Sequence, residues 1–223
     1  MRLPAGWRSG GQSPFRATAR RFGKQGSLLL AASLVLVAAG CSRRATLRPL
    51  PADATLLAFG DSLTYGTGAA TGEAYPAVLS NQLGLEVVNA GVPGERIADG
   101  LRRLPSVLDR VQPRLVILCH GGNDLIARAD RAAIEEPLRD MLRLLRERDI
   151  DVFLVAPPRP GLRLRAPPLY RDVAREFGVP IDEKTLSRVL GSRTLKSDTV
   201  HPNAEGYRQI AEAIADGIRS AQR

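Results

Sequence analysis

The 223-residue chain holds only two Cys, two His, one Trp and 4% aromatic residues. Two cysteines cannot build a disulfide scaffold, and two Cys with two His leave almost nothing for a zinc or iron–sulfur site. The two His lie 81 positions apart, at 120 and 201, so no His pair stands at metal-ligand spacing. Scarce aromatics argue against a platform for single-stranded nucleic acid, which needs stacked rings. Acidic residues are missing before Asp53, while nine basic ones fall there. The other 23 Lys and Arg are matched by 23 Asp and Glu, so the net charge of +9 belongs to the leader. A neutral remainder removes the bulk-charge argument for a nucleic-acid partner. With 44% hydrophobic and 25% charged residues, the chain is globular in composition and long enough for one full core.

The leader has a readable pattern. Residues 1–27 are basic, Leu28–Ala39 (LLLAASLVLVAA) is apolar, and Gly40-Cys41 follows. Twelve apolar residues fall short of the ~20 that span a membrane, but a positive flank, a short apolar core and small residues make an export signal. Ala38-Ala39-Gly40-Cys41 resembles a bacterial lipobox, with Ala38 where Leu is usual. The resemblance implies lipid attachment at Cys41 and an exported, membrane-anchored protein of the bacterial cell envelope, with a periplasmic or secreted form as the alternative. The reading is therefore an export signal over 1–40, a tether over 41–52 stiffened by Pro49 and Pro51, and one domain over 53–223. Cys119, inside an apolar run, reads as a buried free thiol.

Four apolar runs predict strands: Thr55–Gly60, Leu85–Ala90, Leu115–Cys119 and Asp151–Ala156. They are continuous rather than alternating, as strands covered on both faces are. Helical spacing fills the gaps. Ile97, Leu101, Leu104, Leu108 and Val111 form one face, with Pro105 expected to start a second segment. Ile134, Leu138, Met141, Leu142 and Leu145 form another, with Pro137 near a helix start. Tyr207, Ile210, Ala211, Ile214 and Ile218 form a third, with Asn203 as its N-cap. Alternation of strand and helix predicts an α/β fold, a parallel sheet between helices.

Ligands in such folds bind at the carboxyl ends of the strands. Ser62 follows the first strand directly, past Gly60, which permits a sharp turn. A serine hydroxyl is protonated near neutral pH and needs an adjacent base to act as a nucleophile. Only His120 and His201 can supply an imidazole. His201 has Asp198 three residues before it, able to hold one ring nitrogen and leave the other for the serine proton. His120, before a Gly pair, reads as structural. Acyl transfer also needs donors for an oxyanion. Gly91 can bring its N–H close, and Asn123 can offer its side-chain amide at the same strand-end surface. The Pro- and Arg-rich stretch 157–168 reads as a rim loop.

These residues carry a family resemblance. Gly60-Asp61-Ser62-Leu63-Thr64-Tyr65-Gly66, Gly91, Gly121-Gly122-Asn123-Asp124 and Asp198-Thr199-Val200-His201-Pro202-Asn203 resemble the four ordered blocks of SGNH (GDSL-type) hydrolases, nearest the bacterial arylesterase, thioesterase and lysophospholipase branch. The resemblance implies a three-layer α/β/α sandwich with a flavodoxin-like, mainly parallel sheet and no cofactor; a metal is disfavoured separately, by the lack of a His pair at ligand spacing. It implies Ser62 as nucleophile, His201 as base, Asp198 as its orienting group, and an oxyanion hole from Ser62, Gly91 and Asn123. Asp61 and Asp124 are expected to hold their loops through backbone hydrogen bonds. The expected substrate is a small acyl ester or thioester. The alternatives are an O-acetyl esterase of envelope polysaccharide and a lipid-anchored binding module without catalysis.

Overall fold

A computed structural model describes residues 45–222. The export signal, Cys41 and the first part of the tether lie outside the described residues. Five parallel strands make the sheet: β1 (Thr55–Gly60), β2 (Glu86–Gly91), β3 (Leu115–Cys119), β4 (Asp151–Val155) and β5 (Ile181–Asp182), in the order β2-β1-β3-β4-β5. Among the described residues eight α-helices accompany them: α1 (Ser62–Tyr65), α2 (Tyr75–Leu83), α3 (Ile97–Val111), α4 (Gly122–Ile126), α5 (Arg131–Glu147), α6 (Pro168–Phe177), α7 (Thr185–Gly191) and α8 (Ala204–Ala221).

Strand side chains alternate between the two faces, and both are covered. Leu56 and Ala58 of β1, Leu115 and Ile117 of β3, and Phe153 and Val155 of β4 pack with Leu79 of α2, Leu186 of α7 and Ile210, Ile214 and Ile218 of α8. Leu57, Phe59, Val116, Leu118, Val152 and Leu154 face the other way, onto α3, α5 and α6. Each Leu or Ile so buried contributes about 2 kcal/mol of transfer free energy. The result is the three-layer α/β/α sandwich that the alternation predicted.

Several local expectations change. β5 is two residues long, too short to show periodicity, and Pro180 just before it suits an edge strand. Pro105 starts no new segment: α3 runs unbroken through it, because Ile97, Leu104, Val107 and Leu108 share one buried face that packing holds together. Pro137 likewise lies inside α5, which begins at Arg131. From Thr46 onward the expected tether is docked on the domain. The Leu47 N–H donates to Ala221 O at 2.9 Å and its side chain is buried. Arg48 pairs with Asp151 at 3.0 Å and Asp149 at 2.6 Å. Asn203 caps α8, accepting from the Gly206 N–H at 3.0 Å, and Cys119 is a buried free thiol, both as expected.

The chain enters the sheet at β1, moves out to β2, then returns across β1 to β3. Connections leaving β1 and β3 therefore diverge, opening a crevice above their carboxyl ends. Ser62 follows β1 and Asn123 follows β3.

Candidate active site

The turn after β1 is shaped by close approach. A Cβ on Gly60 would lie 2.0 Å from Cys119 O and 2.3 Å from Thr64 Oγ1, so glycine is required by the neighbouring backbone of β3. Asp61, buried, caps α1 by accepting from the Leu63 N–H at 3.0 Å. Burial pushes its carboxyl above the ordinary value, partly offset by the field of His120 and by backbone donors. Ser62 is thus the first residue of a one-turn helix, where backbone N–H groups have no intrahelical acceptor. Among the described residues the Ser62 N–H donates to no protein acceptor.

The base comes from the far end of the chain. His201 Nε2 lies 3.0 Å from Ser62 Oγ, and His201 Nδ1 lies 2.7 Å from Asp198 Oδ2. The other carboxylate oxygen accepts from the Val200 and His201 N–H groups, each at 2.8 Å, locking Asp198 into the turn. Burial alone would raise the Asp198 pKa, but the bonds from His201 and the two backbone amides outweigh it and hold the carboxyl below its ordinary value. An ionised Asp198 selects the tautomer with the proton on Nδ1, leaving Nε2 free to accept from Ser62.

Of the expected oxyanion donors, Gly91 stands apart from the cleft. Gly91 ends β2 against α1: a Cβ there would lie 2.1 Å from Tyr65 N, and its N–H donates to Asn89 Oδ1 at 2.9 Å. That donor is already engaged. The cleft instead holds Gly94 beside Ser62 and Asn123. Val92-Pro93-Gly94-Glu95 is a type II turn, with Gly94 at φ +79° and the Glu95 N–H donating to Val92 O at 3.2 Å. Among the described residues the Gly94 N–H donates to no protein acceptor. The Pro-Gly pair is the signal that could have found it. Asn123 directs one amide hydrogen to Glu95 O at 2.9 Å, which leaves its second for the cleft. Asp124, buried, accepts from the Ile97 N–H at 2.9 Å and ties the loop after β2 to α4, as expected for a loop-holding carboxylate.

His120 is away from the cleft. Its side chain is fully buried, with Nε2 3.0 Å from Glu95 Oε2 and Nδ1 accepting from the Gly121 N–H at 2.9 Å. The cleft itself has a volume of about 470 Å³. Ile126, Leu164, Leu190 and Val200 give it an apolar lining, and Pro157, Pro158 and Pro160 form its rim. The Arg-rich loop folds back on itself, with the Arg159 N–H donating to Arg165 O at 2.9 Å.

This arrangement of a hydroxyl, an oriented imidazole and three strand-end donors invites comparison with known proteins. The GDSL-like Lipase/Acylhydrolase family model matches residues 58–209. The chain belongs to that family. This hydrolase is 33% identical over 182 residues to the thioesterase 1/protease 1/lysophospholipase L1 of Escherichia coli K12, covering 78% of its own length and 87% of the relative's. It is 30% identical to the esterase TesA of Pseudomonas aeruginosa, over 80% of its own length and 94% of the relative's. Among solved structures it resembles AlinE4, an SGNH-hydrolase family esterase, with a TM-score of 0.59 and 31% identity, covering 78% of this chain and all of that one. The family and fold implied by the four sequence blocks are borne out.

Proposed function

We propose that the chain is a serine esterase that hydrolyses small acyl esters or thioesters through an acyl-enzyme on Ser62. The observation that carries this is the 3.0 Å approach of His201 Nε2 to Ser62 Oγ, with Asp198 at 2.7 Å behind the ring. Ser62 Oγ attacks the carbonyl carbon as its proton passes to His201 Nε2, and Asp198 stabilises the imidazolium that forms. The oxyanion accepts hydrogen bonds from the N–H groups of Ser62 and Gly94 and from the Asn123 amide. Collapse expels the alcohol or thiol, which takes the proton from His201. Water then repeats the sequence and frees the acid.

The apolar lining favours an acyl chain over a bare acetyl group, since each buried methylene contributes about 0.8 kcal/mol. The test is hydrolysis of p-nitrophenyl esters from acetyl to palmitoyl by the full chain, beside Ser62→Ala. Turnover lost in the variant and kcat/KM rising from acetyl toward mid-length chains is expected. Equal turnover by the variant overturns the reading.

Export with lipid attachment at Cys41 is part of the same proposal. A basic leader, a twelve-residue apolar run and Ala38-Ala39-Gly40-Cys41 support it. Cys41→Ser is expected to abolish radiolabelled-palmitate incorporation and to release the protein from the membrane fraction. Unchanged labelling sinks the anchor and leaves the periplasmic or secreted alternative.

A further inference from the structure

We propose that Glu95, Arg103 and His120 form a positioning unit that sets the spacing of the two oxyanion donors that do not belong to the nucleophile, the Gly94 N–H and the Asn123 amide. The inference rests on the esterase reading and adds three residues that touch neither substrate nor Ser62.

The Glu95 side chain is only 8% exposed, yet three N–H groups converge on its carboxylate. Arg103 Nε reaches Oε1 at 2.6 Å, Arg103 Nη2 reaches Oε2 at 2.7 Å, and His120 Nε2 reaches Oε2 at 3.0 Å. Because His120 Nδ1 accepts from the Gly121 N–H, its proton sits on Nε2 and points at Glu95. Burial would raise the Glu95 pKa; the bonds from His120 and Arg103 outweigh it and keep the group ionised below the ordinary range. Arg103 Nη2 also donates to Ala90 O at 2.9 Å and Gly60 O at 3.1 Å, and its guanidinium lies 4.0 Å from the centre of the Phe59 ring. One arginine therefore ties the ends of β1 and β2 to the carboxylate.

The geometry makes the unit functional as well as cohesive. Glu95 follows Gly94 directly, so holding its side chain fixes the orientation of the turn that offers the Gly94 N–H. The backbone carbonyl of the same residue accepts from Asn123. Glu95 thus joins both donors, one through the preceding peptide and one through its own carbonyl. A surplus buried ion pair kept only for stability is a poor use of desolvation, since such pairs roughly break even against apolar side chains. Small displacements of oxyanion donors, by contrast, are expensive in rate.

The test is a double-mutant cycle of Glu95→Gln and Asn123→Ala in the full chain, normalised by fluorophosphonate titration of Ser62. In Glu95→Gln the new amide NH₂ must face one of the converging donors, while the main-chain carbonyl remains. Its kcat is expected to fall about tenfold with KM unchanged, against about 10²-fold for Asn123→Ala. In the Asn123→Ala background the Glu95 change should cost distinctly less, about threefold, because one of the two donors it positions is gone while the Gly94 N–H remains. Equal losses in both backgrounds, or a change confined to KM, overturn the proposal. His120→Gln, put through the same cycle, decides the matter if Glu95→Gln does not fold, and an unchanged kcat there overturns it too. Absence of wild-type turnover overturns the esterase reading itself; wild-type turnover with unchanged kcat in the variants overturns the positioning role alone.

Discussion

The two sides of Ser62 are built by different means. On one side a single turn carries both Asp198 and His201, three residues apart, with the Asp198 side chain 51% exposed. On the other, a partly buried network gathers Gly60, Ala90, Glu95, Arg103, His120 and Asn123 from β1, β2, the loop after β2, α3, the end of β3 and α4. The base side needs little more than its own chain to be oriented. The donor side exists only once the sheet has assembled. Proton transfer tolerates a base on an open loop because the imidazole is steered by a local carboxylate. An oxyanion site must hold backbone dipoles at a fixed distance from a point in space, which demands a rigid frame.

The sharpest break in this comparison comes from Asp198→Asn. The asparagine oxygen can still accept from the backbone of Val200 and His201, so its NH₂ faces Nδ1 and forces the proton onto Nε2, toward Ser62. A loss of about 10⁴ in kcat is expected without loss of fold. The pH dependence has a definite sign. Asp198 is held below its ordinary value of 3.8, so its contribution is complete above that value and is lost only as pH falls through the depressed one. Asp198 itself does not titrate between pH 5 and 8, so a large deficit is expected throughout that window, and a deficit that disappears within it would contradict the assignment.

A smaller effect separates the two glycines of the donor side. Gly91→Ala drives a methyl into the backbone of Tyr65 and should destabilise the fold by about 2–3 kcal/mol, read as a lower urea midpoint. Gly94→Ala meets open space and carries only the strain of its positive φ, about 1 kcal/mol. Measured against activity per titrated Ser62, the ranking should reverse, with Gly94→Ala the more damaging. Matching profiles for both variants would erase the distinction drawn between them.

Much of the fold could be read in advance because four strands were long, apolar and buried on both faces. β5 could not, since two residues carry no period. Pro105 and Pro137 were read as boundaries because proline removes a helical hydrogen bond; tertiary packing of the apolar face on both sides of each outweighed that cost. At the site, Ser62 and His201 stand 139 residues apart but could be paired by elimination, there being only two imidazoles in the chain. Gly91 was read as a donor because no side chain keeps its N–H from close approach, and Gly94 was not singled out. The structure gives that amide to Asn89, two residues back.

What the sequence determined by itself was whatever depends on residue type and short spacing: four of the five strands, the Asn203 cap, the Asp198–His201 turn, and the serine that the imidazole must serve. Only the tertiary structure decided which glycine lines the cleft and which carboxylate holds its turn. The direction of a peptide dipole is set by the φ and ψ of its turn, and the bonds that hold this one, from His120 and Asn123 to Glu95, cross 25 and 28 residues of chain. Contacts at that separation leave no period or local pattern, and they form only when β1, β2 and β3 lie side by side.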